Sequence, residues 1–204
     1  MYDDNDVVGV VLAGGLSRRM GGQDKGRLRL DGKPLLARVA ERLKPQVSHL
    51  ILNINNPLGV IVSKDINIVP DCLPGYGGPL VGLLSAMEWT ERHVPAARWI
   101  VSVPTDAPFI PTDLVSTLRE TILAGAPAAV AQSGARRHPV VGLWPLESHE
   151  ALRDFLVERD EHRVTAWVDE IGAQSTWFSG DPDPFFNINS PEDLAEAQRI
   201  IMVP

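Results

Sequence analysis

Val7-Val8-Gly9-Val10-Val11-Leu12 runs without a polar break into Ala13-Gly14-Gly15-Leu16-Ser17-Arg18-Arg19-Met20-Gly21-Gly22-Gln23-Asp24-Lys25. The first six residues are apolar at every position and rich in β-branched side chains. That is the pattern of a strand buried on both faces, as in a parallel sheet covered by helices. The loop that follows has the opposite character. Gly14, Gly15, Gly21 and Gly22 let backbone N–H groups approach an anion without side-chain obstruction, and Arg19 and Lys25 offer charge to phosphate oxygens. Open α/β sheets bind ligands outside the carboxyl ends of their strands, which is where this loop falls. Residues 13–30 hold Arg18, Arg19, Lys25, Arg27 and Arg29 against Asp24 alone, a local surplus of about four positive charges (five minus one) in a chain of formal net charge -7. This is a local anion site.

The spacing is not that of a P-loop, since no Gly-x-x-x-x-Gly-Lys-Ser/Thr can be read, nor that of a Gly-x-Gly-x-x-Gly dinucleotide fingerprint. Outward from the loop, strand and helix patterns alternate. Residues 34–43 place Leu35, Leu36, Val39, Ala40 and Leu43 at helical spacing, and residues 50–53 and 66–69 read as strands. Residues 79–90 read as a helix, 99–103 as a strand, and 112–124 as a helix capped by Thr112. Residues 128–132 and 140–144 read as two strands joined by a polar turn, a small antiparallel excursion. Helices are expected at 147–157 and 164–170, a strand at 175–178, and a last helix at 191–201 with Ser190 as N-cap and Asp193 three residues on. The expected fold is a Rossmann-like, three-layer α/β arrangement with a mostly parallel open sheet, residues 1–204 forming a single domain.

Composition narrows the class. With 44% hydrophobic and 22% charged residues the 204-residue chain has the make-up of a soluble globular protein. Cys72 is the single cysteine, so neither an internal disulfide nor a structural zinc site can be built, and a reducing compartment fits. The acidic start Met1-Tyr2-Asp3-Asp4-Asn5-Asp6 is unlike a signal peptide, and the apolar run Val7–Leu12 is too short to span a bilayer. The expectation is a cytoplasmic protein without membrane contact. Net negative charge argues against broad nucleic-acid binding.

Asn53, Asp71 and Asp106 each follow an expected strand, so parallel pairing would gather them on one edge of the sheet. Asp106 sits in Val103-Pro104-Thr105-Asp106-Ala107-Pro108, where prolines fix the chain. One rigid carboxylate suits Mg²⁺, which takes few protein ligands and completes its shell with water and phosphate oxygens. Gly75-Tyr76-Gly77-Gly78-Pro79-Leu80 leads into a helix and either offers amides to a ligand or turns the chain. Asn187 and Asn189, two apart, would face the same way on an extended segment, or else cap a turn. Arg137, His138 and Arg163 are candidate contacts for an anionic acceptor or simple surface residues. His49, His93, His149 and His162 have no metal or triad spacing, and Trp89, Trp99, Trp144, Trp167 and Trp177 read as core.

The loop resembles that of the molybdenum cofactor guanylyltransferases, whose signature is Leu-Ala-Gly-Gly-x-Ser-x-Arg-Met-Gly followed by Asp-Lys. The resemblance extends to Gly78-Pro79-Leu80-Val81-Gly82, where Val81 replaces Ala. It continues through Arg136-Arg137-His138-Pro139 to Asn187-Ile188-Asn189-Ser190-Pro191-Glu192-Asp193-Leu194, and so spans nearly the whole chain. It implies transfer of GMP from GTP to molybdenum-molybdopterin, with Mg²⁺ as cofactor and pyrophosphate as the other product. Leu12, Ala13, Gly14, Gly15, Lys25, Asn53, Asp71, Gly78 and Asp106 would bind the nucleotide, with Asp106 the metal ligand and Arg19, Lys25 and Asp106 catalytic. Asn187 and Asn189 would serve the acceptor, giving an N-terminal GTP part and a C-terminal acceptor part. Asp71 would accept the guanine donors. Transient contacts with cofactor-biosynthesis proteins and recipient apoenzymes are implied. Two alternatives stay open: a cytidylyl or sugar-1-phosphate nucleotidyltransferase sharing the loop, and a non-catalytic nucleotide-binding adaptor.

Overall fold

A computed structural model describes residues 6–13, 28–57, 63, 65–75 and 77–202. The loop residues Gly14, Gly15, Arg19 and Lys25 therefore lie outside the described residues. Strand β1 (Val7–Leu12) is buried along its whole length. It runs parallel to β4 (His49–Asn53) on one side and β6 (Trp99–Pro104) on the other, and β4 in turn pairs with β5 (Ile66–Val69), also parallel. Beyond β6 come β8 (Arg136–Pro145), β7 (Ala129–Ser133) and β9 (Gln174–Phe178), in the order β5-β4-β1-β6-β8-β7-β9. Of these seven strands β8 alone runs against the rest. The expected antiparallel excursion is thus one strand inserted in a parallel sheet, with a register shift between Val130 and Ala131.

The two faces of the sheet separate by strand periodicity. Val8, Val10 and Leu12 of β1 join Ile51 and Ile100 in a core beneath α2 (Pro79–His93), α4 (His149–Val157) and α5 (Val164–Glu170). Val7 and Val11 join Leu50, Leu52, Val101 and Val103 beneath α1 (Leu35–Leu43) and α3 (Leu114–Leu123). This is the three-layer arrangement expected. A third, smaller core of Leu30, Leu35, Ile188 and Ala197 seats the last helix, α6 (Pro191–Met202).

Three local features depart from the pattern in the sequence. Helix α3 begins at Leu114, and Thr112 does not cap it, because the Pro111 carbonyl accepts Leu114 N–H in a turn ahead of the helix. A two-stranded ribbon of β2 (Arg29–Leu30) and β3 (Lys33–Pro34), absent from the sequence reading, is closed by Asp31-Gly32 with φ of 51° and 71°. An Asp-Gly pair at positive φ is a type I′ hairpin signal. Trp144 and Trp167 are core, but Trp177 is 64% exposed, on the outward-facing side of the edge strand β9, whose neighbours Thr176 and Phe178 are buried. The expected cap of α6 is present: Ser190 Oγ accepts Asp193 N–H at 3.2 Å, and Asp193 Oδ2 accepts Asn189 and Ser190 N–H at 2.8 and 2.9 Å.

Candidate active site

Strand order reverses direction between β1 and β6, the switch point at which open α/β sheets bind ligands. A cavity of about 610 Å³ opens there, a size suited to a small-molecule ligand. Its wall is built from strand ends. Leu12 and Ala13 leave β1, Asn53 ends β4, and Pro104, Thr105 and Asp106 leave β6. Parallel pairing continues past the strands, since Ala13 N–H donates to Asn53 O at 2.9 Å and Thr105 N–H to Leu12 O at 3.3 Å. The three strand ends are thereby fixed to one another before any ligand arrives.

Gly77, Gly78 and Pro79 bring the start of α2 to the same cavity, and Arg136–Val141 of β8 form the far wall with Asn187. The segment carrying Asn187 is tied to Asp106 through Ile188 N–H, which donates to the Asp106 carbonyl at 2.8 Å. It is held again by Phe185, fully buried, whose ring lies 4.7 Å from that of His138 and 5.2 Å from that of Phe178. His138 Nε2 pairs with Ser133 Oγ at 2.7 Å. Burial, reinforced by Arg136 and opposed by Asp183, pushes the His138 imidazole below its ordinary pKa, so the ring is neutral at physiological pH.

Of the residues singled out in the sequence, the cavity brings together Leu12, Ala13, Asn53, Gly78, Asp106, Arg137, His138 and Asn187. It does not include Asn189, which is exposed and contributes a backbone N–H to the α6 cap. Arg163 lies away from the cavity wall, and its guanidinium is paired with Glu161. Asp71 does not itself line the cavity but is one hydrogen bond from Asn53, which does. Asn53 Nδ2 donates to Val69 O at 3.2 Å and to Asp71 Oδ1 at 2.9 Å, which uses both of its hydrogens. Asn55, which sequence reasoning passed over, donates from Nδ2 to Asp71 Oδ2 at 2.7 Å and accepts Asp71 N–H on Oδ1 at 2.8 Å. Its signal was alternation, since Asn53-Ile54-Asn55 puts two amides on one side of the chain.

Gly82 explains part of the Gly78-Pro79-Leu80-Val81-Gly82 pattern. A Cβ there would stand 2.2 Å from Asn53 Oδ1 and 2.8 Å from Leu12 Cδ2. Only glycine lets helix α2 pack this closely on two residues of the cavity wall. Among the described residues no group of three or more His, Cys, Asp or Glu side chains forms a metal cluster. The residues that are present fit a metal held by one protein carboxylate, Asp106, and by ligand phosphates. No helix among the described residues is long and apolar enough to cross a membrane.

The chain is 45% identical to a molybdenum cofactor guanylyltransferase of Bradyrhizobium sp., over 95% of this chain and 92% of that protein. It is 43% identical to the one of Nitrobacter hamburgensis, over 94% and 93%. Its fold matches the crystal structure of molybdopterin-guanine dinucleotide biosynthesis protein A from Archaeoglobus fulgidus with a TM-score of 0.75 at 22% identity, covering 96% of this chain and 98% of that one. The family model described as MobA-like NTP transferase domain matches residues 9–173. The chain belongs to that family, and it is a nucleotidyltransferase.

Proposed function

We propose that the chain transfers GMP from GTP to molybdenum-molybdopterin, forming the guanine dinucleotide cofactor and pyrophosphate. The observation that carries this reading is one cavity walled on one side by the ends of β1, β4 and β6 and on the other by Arg136, Arg137, His138 and Asn187, in a chain 45% identical to a guanylyltransferase over nearly its full length. Residues 1–204 act as one domain whose N-terminal part holds GTP and whose C-terminal part holds the acceptor, in the cytoplasm.

An oxygen of the acceptor's phosphate monoester, already ionised near neutral pH, attacks the α-phosphorus. The bond from that phosphorus to the β-phosphate bridging oxygen breaks, and pyrophosphate leaves with the electron pair. No protein nucleophile is needed, so the chain's work is positioning and charge stabilisation. Asp106 would hold Mg²⁺, which when bound spreads the negative charge of the phosphates. Arg19 and Lys25 of the glycine-rich loop, together with the amides of Gly14 and Gly15, would supply positive charge and N–H donors to the phosphates of GTP. Leu12 and Ala13 support the nucleoside, Gly78 lets the start of α2 approach it, and Asp71, oriented by Asn53, accepts the guanine N1–H and 2-amino donors. Asn187 and Asn189 serve the acceptor, Asn187 from the wall and Asn189 by holding the segment's end. Transient docking to other cofactor-biosynthesis proteins and recipient apoenzymes completes the delivery.

The test is pyrophosphate release from GTP, Mg²⁺ and molybdenum-molybdopterin. Turnover with GTP that requires the acceptor supports the reading. Nucleotide binding without pyrophosphate release for any acceptor would replace it with the adaptor reading.

A further inference from the structure

Asp71 is held on both of its oxygens by two different asparagines, and the second of them has no role in the reaction as described so far. Asn53 Nδ2 meets Oδ1 at 2.9 Å and Asn55 Nδ2 meets Oδ2 at 2.7 Å, while Asn55 Oδ1 accepts the Asp71 N–H at 2.8 Å. Asn55 and Asp71 thus form a reciprocal pair that fixes both the carboxylate plane and the backbone beneath it. An ionised carboxylate has about four lone-pair directions. With one side-chain donor on each oxygen, each oxygen keeps the capacity to accept a further donor.

Two parallel acceptors are the complement of guanine's N1–H and 2-amino group. They mismatch adenine, which presents an acceptor where guanine has N1–H, and hypoxanthine, which lacks the amino donor. Without the Asn55 grip the carboxylate can rotate about its own bond, still bound at Oδ1, and the second acceptor loses its direction.

We propose that Asn55 is a positioning residue for base selection: by clamping Oδ2 of Asp71 it orients the carboxylate so that the 2-amino group of guanine is read as well as N1–H. The proposal rests on the reading of Asp71 as the guanine acceptor, and the two can fail separately.

The experiment compares GTP with ITP, which differs by the 2-amino group alone, using wild type, Asn55→Ala, Asn55→Asp and Asp71→Ala. Equilibrium dissociation constants are measured with Mg²⁺, and KM and kcat with molybdenum-molybdopterin. Wild type is expected to prefer GTP over ITP by about tenfold or more. Asn55→Ala should shrink that ratio to within about threefold by weakening GTP, with KM raised and kcat within about twofold of wild type. Asn55→Asp places an oxygen and a like charge against Oδ2, so it should weaken GTP further than Asn55→Ala. Asp71→Ala should erase the preference. If Asp71→Ala erases the preference and Asn55→Ala leaves it intact, the role of Asn55 is overturned while Asp71 keeps its own. If Asp71→Ala also leaves it intact, the guanine reader lies elsewhere and both assignments fall. A loss of kcat with an unchanged GTP-to-ITP ratio in Asn55→Ala would mark a merely structural role and would equally overturn the proposal.

Discussion

Replacing Gly82 by alanine adds one methyl group at the point where helix α2 rests on the cavity wall. That methyl would lie 2.2 Å from Asn53 Oδ1, 2.9 Å from Asn53 Cγ and 2.8 Å from Leu12 Cδ2. The Leu12 methyl is the end of a flexible side chain and can give way. The Asn53 amide cannot, because it is 2% exposed and anchored to Val69 O and Asp71 Oδ1. Overpacking of this kind costs about 1–3 kcal/mol. Turning the amide away strands buried hydrogen-bonding groups at about 1–3 kcal/mol more. Alanine recovers about 1 kcal/mol as the better helix former. The net expectation for Gly82→Ala is a loss of about 1–5 kcal/mol, toward the lower end as the neighbouring side chains relax. Urea unfolding of Gly82→Ala, Asn53→Ala and the double variant reads the cause as well as the size. If the clash with Asn53 is the mechanism, removing the amide makes room for the methyl, and the double variant should be about 1–3 kcal/mol more stable than the sum of the singles. Additivity within about 0.5 kcal/mol, or a Gly82→Ala protein as stable as wild type, would refute the reasoning.

Four further outcomes follow from the same geometry. Asp106→Asn keeps the shape of the side chain and removes the charge, so turnover should fall about 10²–10³-fold, and raising Mg²⁺ should not restore it. His138 is buried with a lowered pKa. The unfolded chain therefore takes up a proton there before the folded one does, and stability is lost as pH falls through the unfolded value of about 6.5, levelling off below the folded value. The drop in urea midpoint between pH 7.5 and 5.5 should accordingly be smaller in His138→Gln than in wild type. Asp193→Ala removes the acceptor of the Asn189 and Ser190 N–H groups and should cost about 1 kcal/mol in urea unfolding. Trp144→Phe leaves Ser102 Oγ without the indole N–H that reaches it at 2.9 Å, at a cost of about 1 kcal/mol by the same assay.

Much of this architecture was legible in the chain. The unbroken Val7–Leu12 run implies a doubly covered central strand, and β1 is buried throughout and central among parallel neighbours. The spacing of Leu35, Leu36, Val39, Ala40 and Leu43 describes the buried face of α1 residue by residue. Positions such as Asn53 and Asp106 were legible because strand ends in parallel sheets share an edge, a rule that needs no coordinates. What was not legible depends on how elements meet. Local pattern cannot tell that Asn53 donates both amide hydrogens within the protein, or that Asp71 is tied to the cavity wall through Asn53. Nor can it show that a lone glycine in α2 exists to clear an amide from β4. Asn189 stands out in the sequence by its spacing from Asn187 and by the resemblance, and Arg163 by its charge, but neither lines the cavity, and the backbone N–H of Asn189 is engaged in the α6 cap. Trp177 reads as core because large aromatics are highly buried on average, yet it lies on the exposed side of the edge strand β9, between buried Thr176 and Phe178.

Transfer of a guanylyl group to a molybdopterin acceptor is tested most directly by a competition. Equimolar GTP and CTP are given to the protein with Mg²⁺ and molybdenum-molybdopterin, and the dinucleotide products are weighed by mass spectrometry. The guanine dinucleotide is expected in large excess, with one pyrophosphate released per product and neither formed by Asp106→Asn. A cytosine dinucleotide in equal or greater amount would contradict it.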